Sequence, residues 1–214
     1  MNNSITLDSS ACRTTLCDLC VKCGTDKSPY TENGGHRHPY TAPYSLLFEP
    51  MRHKPIKFAE IGVFRGASIL VWRNFFSKAR IYGFDNDYQG MEGVRALNLP
   101  GVTLDTMDAT KVASIEAGFK KYTADGELFD VILDDALHEP SQQVLTIKTC
   151  LNKLKQGGLL IIEDVFRDRP EDPYVEVMKE MSDLISFSTF IVCDHKDRYS
   201  PGWNNDKLLL IVRA

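Results

Sequence analysis

From residue 56 to its end the chain alternates short apolar runs with amphipathic stretches, and that alternation leaves few folds open to it. It is the pattern of strands and crossover helices around a largely parallel sheet. The strand candidates are Lys57–Gly62, Arg80–Asp85, Val102–Asp105, Phe129–Leu133, Gly158–Glu163, Phe190–Asp194 and Lys207–Val212, seven in all. Between them Ala67–Phe76, Lys111–Tyr122, Ser141–Leu154 and Glu171–Leu184 are expected to be helices. In the third, Val144, Ile147, Cys150, Leu151 and Leu154 recur at helical spacing and Gly157-Gly158 supplies the stop. The expected class is α/β with helices on both faces of the sheet. Residues 1–55 read as an irregular cap or lid, with turn formers at Lys27-Ser28-Pro29 and Asn33-Gly34-Gly35 and a short helix over Tyr40–Met51; residues 56–214 form the domain itself.

Composition narrows the function. The 214 residues are 43% hydrophobic and 25% charged, as in a soluble globular chain, and 25 Lys+Arg against 29 Asp+Glu give a net charge of -4. That balance lacks the basic excess of nucleic-acid binding, so no nucleic-acid partner is expected. No window is long and apolar enough to span a membrane, the polar start lacks a signal peptide's regions, and the expected location is cytoplasmic. Six cysteines should then be thiols or metal ligands. The run Cys12, Cys17, Cys20, Cys23 is compatible with zinc or an iron–sulfur cluster, but residues 11–23 also read as a short helix with Cys17, Cys20 and Cys23 along one buried side, which is the preferred reading.

The chemistry is concentrated at strand ends. The first candidate closes in Glu60-Ile61-Gly62-Val63-Phe64-Arg65-Gly66-Ala67-Ser68 and runs straight into a helix, a glycine turn at the edge where open α/β sheets bind ligands. Phe64 stands where a dinucleotide fingerprint needs its second glycine, which disfavours NAD, and Glu60 suits an amino group or sulfonium. The second ends in Asp85, a carboxylate placed to accept both hydroxyls of a ribose, and the third is followed by Asp108, expected at the exocyclic amine of an adenine. An adenosine with an amino-acid tail fits this set. The fourth runs into Asp134-Asp135-Ala136-Leu137-His138 and the fifth into Glu163-Asp164. If these two are neighbours, the carboxylates repel one another unless a cation is present, and oxygen ligation points to Mg²⁺, with Mn²⁺ or Ca²⁺ as alternatives. His138, three residues past Asp135, is the natural general base.

These residues carry a resemblance. Gly24-Thr25-Asp26-Lys27 with Tyr40 and Tyr44, the Glu60–Ser68 turn with Trp72, Asp134-Asp135-x-x-His138, and Gly157-Gly158-Leu-x-x-Ile162-Glu163-Asp164 resemble the class I S-adenosylmethionine-dependent methyltransferases, specifically the metal-dependent sugar O-methyltransferases of macrolide biosynthesis, over roughly residues 20–165. Cephalosporin hydroxylase-like proteins share the architecture. The family shows Gly-Ser before the histidine, where this chain has Ala136-Leu137. The resemblance implies a seven-stranded Rossmann-like sheet with a reversed last strand, Mg²⁺ held by Asp135, Glu163 and Asp164, and catalysis by His138 with Asp135. It implies S-adenosylmethionine bound among Glu60, Gly62, Gly66, Ser68, Asp85, Asp108, Asp134, Lys27 and Tyr44. The implied activity is methylation of a sugar hydroxyl on a glycan, glycoconjugate or glycosylated small molecule, with residues 28–50 and 166–206, including Arg167, Tyr199 and Trp203, toward the acceptor. A catechol or other small-molecule O-methyltransferase is the alternative within the fold. A noncatalytic adenosylmethionine-binding subunit is the alternative outside catalysis, and the intact Asp/His/Glu/Asp set argues against it. A homo-oligomer is left open.

Overall fold

The computed structural model describes residues 4–32 and 35–214, so Asn33 and Gly34 of the expected turn lie outside the described residues. The strands are β1 (Ser4–Asp8), β2 (Lys57–Ile61), β3 (Arg80–Asp85), β4 (Val102–Thr106), β5 (Phe129–Asp134), β6 (Leu154–Ile162), β7 (Ile185–Asp194) and β8 (Lys207–Arg213). The helices are α1 (Thr15–Cys23), α2 (Thr41–Phe48), α3 (Ala67–Phe75), α4 (Glu92–Ala96), α5 (Val112–Thr123), α6 (Pro140–Cys150) and α7 (Asp172–Glu180). Among the described residues one sheet runs in the order β1-β7-β8-β6-β5-β2-β3-β4. All pairings are parallel except those of β8, which is antiparallel to both β6 and β7.

The central strands β5, β6 and β8 carry continuous apolar runs, as strands covered on both faces do. Along β8, Leu208 and Leu210 enter one core while Leu209 and Ile211 enter the other, and along β5 Val131 and Leu133 alternate with Phe129 and Ile132 in the same way. The first core packs under α1, α2 and α3 and is rich in rings: Tyr44 stacks on Phe48 at 5.1 Å, and Trp72 sits edge-on to both at 5.6 and 5.8 Å. The second packs under α5, α6 and α7 through Phe119, Ile147, Tyr174 and Val177.

Two expectations change. The sheet has eight strands rather than seven, because Ser4–Asp8, in the stretch expected to be irregular, pairs with β7 from Ser4↔Phe190 to Asp8↔Asp194. An edge strand needs only one neighbour, and two apolar residues in five are too weak a pattern to announce it. The five-residue α4 was likewise below any period. The long helices expected at Ser141–Leu154 and Glu171–Leu184 end earlier, each closing in a single 3₁₀ turn. For function, the decisive feature is that β2 lies between β3 and β5, so the strand order reverses beside it and opens a crevice at the carboxyl edge.

Candidate active site

At that crevice Ile61 of β2 lies beside Asp134 of β5, and the next residue, Gly62, has φ +90°. A Cβ on Gly62 would collide with the Asp135 carbonyl, so only glycine lets the two strand ends approach this closely. Gly66 caps the start of α3 against the Val94 side chain. Asp85 holds the turn between the two glycines: its Oδ2 accepts the backbone N–H groups of Val63 (2.9 Å) and Phe64 (2.7 Å).

Two cavities meet at this turn, sharing Gly62, Phe64, Asp135 and Ala136. The smaller, about 160 Å³, is walled by Asp85, Met107, Ala109 and Leu137. The larger, about 560 Å³, is walled by Gly24, Thr25, Asp26, Ser68 and His138. The smaller is mainly apolar, with Asp85, Asn86 and Asp135 among its lining; the larger is the more polar, with Thr25, Asp26, Ser68, Asp135 and His138 beside Val63, Phe64 and Ala67.

The N-terminal segment meets the acidic strand ends donor by donor. Lys27 is buried, with its Nζ 2.7 Å from Glu163 Oε2, in contact with Asp135 Oδ2, and 3.6 Å from Glu60 Oε1. Burial alone would lower the Lys27 ammonium, but Asp135, Glu163 and Glu60 hold it well above the ordinary lysine value. Tyr44 donates its hydroxyl to Glu163 Oε1. Tyr40 donates to Asp164 Oδ1 at 2.7 Å, as does Asn205 Nδ2 at 2.8 Å, and His38 stacks on Tyr40 while bonding Asp206 at 2.8 Å. The cation that relieves repulsion between Asp135 and Glu163 is therefore in part a lysine of the chain itself. Burial and the Asp135 charge still hold the Glu163 carboxyl well above the usual range.

The expected site residues divide accordingly. Asp135, His138 and Asp164 converge: each offers one ligand atom, all within 4.8 Å of one another, and among the described residues no other group of three acidic, histidine or cysteine side chains does so. Glu163 is adjacent, but both its oxygens are engaged by Tyr44 and Lys27. His138 Nδ1 is buried without a hydrogen-bond partner, 3.3 Å from Asp164 Oδ2. His138 and Asp164 have φ of 53° and 56°, and Phe64 of 51°, so three non-glycine residues at this edge are held in the left-handed region. Such backbone persists only where its surroundings over-determine it, and it gathers at functional sites. Two carboxylates offer the oxygen donors that fit a hard divalent cation, and the orphaned imidazole nitrogen beside them can take a proton.

Other expected residues serve the frame. Ser68 Oγ (2.7 Å) and Trp72 Nε1 (3.1 Å) donate to Glu60 Oε2, and burial pushes the Glu60 carboxyl up to about 7. Asp134 is buried, accepts the Ala136 N–H at 3.2 Å, and is pushed up to about 6 by burial. Asp108 turns to Lys111 and Thr110, both at 2.6 Å, and its flanking residues Met107 and Ala109 line the small cavity instead. Cys17 is a helix-cap residue in contact with Thr41 at 3.1 Å, Cys20 is buried core, and Cys12 is exposed. Sequence reasoning missed His38, Asn205 and Asp206, whose types carry no signal until the fold brings residues 38 and 206 together.

A family profile described as a methyltransferase domain matches residues 59–165. The chain is similar to the 8-demethyl-8-(2-methoxy-alpha-L-rhamnosyl)-tetracenomycin-C 3'-O-methyltransferase of Streptomyces olivaceus, 27% identical over 145 residues covering 64% of this chain and 34% of that protein. It is similar to the mycinamicin VI 2''-O-methyltransferase of Micromonospora griseorubida, 26% identical with 64% and 34% covered. The chain thus spans about a third of the length of these curated relatives. Among solved structures, the MycE methyltransferase of the mycinamycin biosynthetic pathway, in complex with Mg, SAH and mycinamycin VI, aligns with a TM-score of 0.66 at 18% identity, over 95% of this chain and 55% of that one. A putative methyltransferase from Streptococcus mutans in complex with SAH aligns at 0.56, 18% identity, over 82% and 98%.

Proposed function

The chain belongs to the methyltransferase-domain family, and from that membership we propose that it is an S-adenosylmethionine-dependent O-methyltransferase, assisted by a divalent cation such as Mg²⁺, that methylates a sugar hydroxyl. The observation that carries the reading is the convergence of Asp135, His138 and Asp164, the first two of which line the same cavity as the Gly62 turn. The small cavity takes the nucleoside, with Asp85 on its rim for the ribose and Met107, Ala109 and Leu137 as apolar walls for the base. The polar cavity takes the amino-acid tail and the acceptor.

When bound, the donor supplies an electrophilic sulfonium methyl. A cation held by Asp135 and Asp164 would supply Lewis-acid polarisation of the acceptor hydroxyl. His138 removes the hydroxyl proton as the oxygen–methyl bond forms and the sulfur–methyl bond breaks, leaving a methyl ether and S-adenosylhomocysteine. Lys27 keeps Glu163 and Asp135 in place without being consumed. Two relatives are O-methyltransferases of rhamnosyl-bearing tetracenomycins, which favours a sugar over a catechol as acceptor.

Methyl transfer from labelled donor to a panel of methyl glycosides tests this. EDTA should abolish transfer and Mg²⁺ should restore it. Asp164→Asn should weaken Mg²⁺ binding while leaving S-adenosylhomocysteine binding intact. His138→Ala should keep both ligands and lose about 10²–10⁴-fold in turnover. Loss of Mg²⁺ binding in His138→Ala would instead make the imidazole a ligand. Transfer to no glycoside would defeat the sugar reading.

A further inference from the structure

Beside the Asp135, His138 and Asp164 group stands an aromatic ring that the site itself does not use. Trp203, in the loop between β7 and β8, is 45% exposed. Its ring stacks on Phe166 at 5.7 Å and 27°, and meets the ring of His138 at 6.1 Å and 82°. His36 closes a third side edge-on at 6.2 Å. Phe166 follows Asp164 by two residues and is nearly buried, with Arg169 packed over its ring, so the Trp203 indole is seated on the same rigid strand end that carries the carboxylate. The indole is held by these contacts yet keeps almost half of its surface open beside His138, a residue that lines the larger cavity.

We propose that the exposed Trp203 indole is the platform on which the pyranose ring of the acceptor lies. The inference rests on the sugar reading above and deepens it. A pyranose carries axial C–H groups on its faces and hydroxyls around its edge. The faces match an indole, which combines a broad apolar surface with few rotatable bonds. The edges match the polar wall of the cavity that His138 lines, where Thr25, Asp26, Asp135 and His138 supply hydrogen-bonding groups. A flat catechol could use the indole but would leave much of that polar wall unsatisfied.

The chain's two tryptophans make the test direct, because Trp72 is 1% exposed and only Trp203 can report on the cleft mouth. With S-adenosylhomocysteine and Mg²⁺ present, methyl α-L-rhamnopyranoside, methyl α-D-glucopyranoside and methyl α-L-fucopyranoside are titrated against the fluorescence of the full chain, with catechol as comparator. A saturable blue shift or quench with at least one glycoside is expected, and it should vanish in Trp203→Phe, whose remaining tryptophan is buried. Kinetically, Trp203→Ala should raise KM for that glycoside about 10-fold or more with kcat within about twofold, Trp203→Phe should restore most of it, and S-adenosylhomocysteine affinity should not change. An unchanged KM in Trp203→Ala, or a response to catechol alone, overturns the inference while leaving methyl transfer standing. If the wild-type chain methylates no glycoside at all, the sugar reading fails first and the platform falls with it.

Discussion

Burial holds the Glu60 carboxyl at about 7 even though Lys27 stands 3.6 Å away and Ser68 and Trp72 both donate to it. The folded chain therefore keeps a proton that the unfolded chain releases near 4.5. This group's contribution to stability is complete below pH 4.5, declines as pH rises toward 7, and levels off above it. Glu60→Gln carries no titrating proton, so its melting temperature minus that of the wild type should move in the variant's favour between pH 4.5 and 7 and stay flat beyond. A difference that does not change across that window would show that Glu60 ionises as in water. At this scale the sequence was readable where chemistry and position coincide: carboxylates at strand ends, a glycine at a strand-to-helix turn, a histidine three residues past an aspartate. It was not readable where a side chain arrives from far away. Lys27 meets Asp135 and Glu163 across 108 and 136 positions, so the expectation of carboxylates needing a metal alone could not include the lysine that already sits among them.

Helix α1 begins at a cap that also joins two elements. The Thr14 hydroxyl accepts from the Cys17 N–H at 3.4 Å and lies 2.8 Å from the Ser45 hydroxyl of α2, while Cys17 Sγ accepts from the Thr14 N–H at 3.3 Å. Cysteine here takes the place usually filled by Glu or Gln in a capping box, which gives Cys17 a part in starting the helix. Thr14→Ala is expected to cost about 1 kcal/mol, a fall in melting temperature of roughly 2–4 °C for a chain this size, and Thr14→Ser should restore it. A variant indistinguishable from wild type in calorimetry would remove the cap from the account. Elements with a strong period, α3, α5 and the six strands of β2 to β6 and β8, stand close to where the apolar pattern puts them. Those without one, β1 and α4, exist because tertiary neighbours supply what the local pattern lacks.

Across the whole molecule the question is whether residues 1–55 are a detachable cap, and the packing argues that they are not. They supply β1 to the sheet, Lys27 to the buried carboxylates of Glu60 and Glu163 and the partly buried one of Asp135, and Leu16, Cys20, Tyr40, Tyr44 and Phe48 to the first core, these five at 1% exposure or less. Burying each large apolar side chain is worth about 1.5–3 kcal/mol, so losing this group removes an amount comparable to the roughly 5–15 kcal/mol by which a domain is stable. Removing Lys27 as well takes the counter-ion from Glu163 and Asp135, and breaking a buried charge pair costs about 3–5 kcal/mol. We therefore propose that the cap and the domain form one cooperative unit. Calorimetry of the full chain should give a single transition, deletion of residues 1–12 should lower its melting temperature while keeping it cooperative, and a fragment of residues 56–214 should show no cooperative transition and should bind a hydrophobic dye. If that fragment melts cooperatively within a few degrees of the full chain, the first 55 residues are a lid in the mechanical sense, and the ring cluster of Tyr44, Phe48 and Trp72 contributes far less than its burial implies.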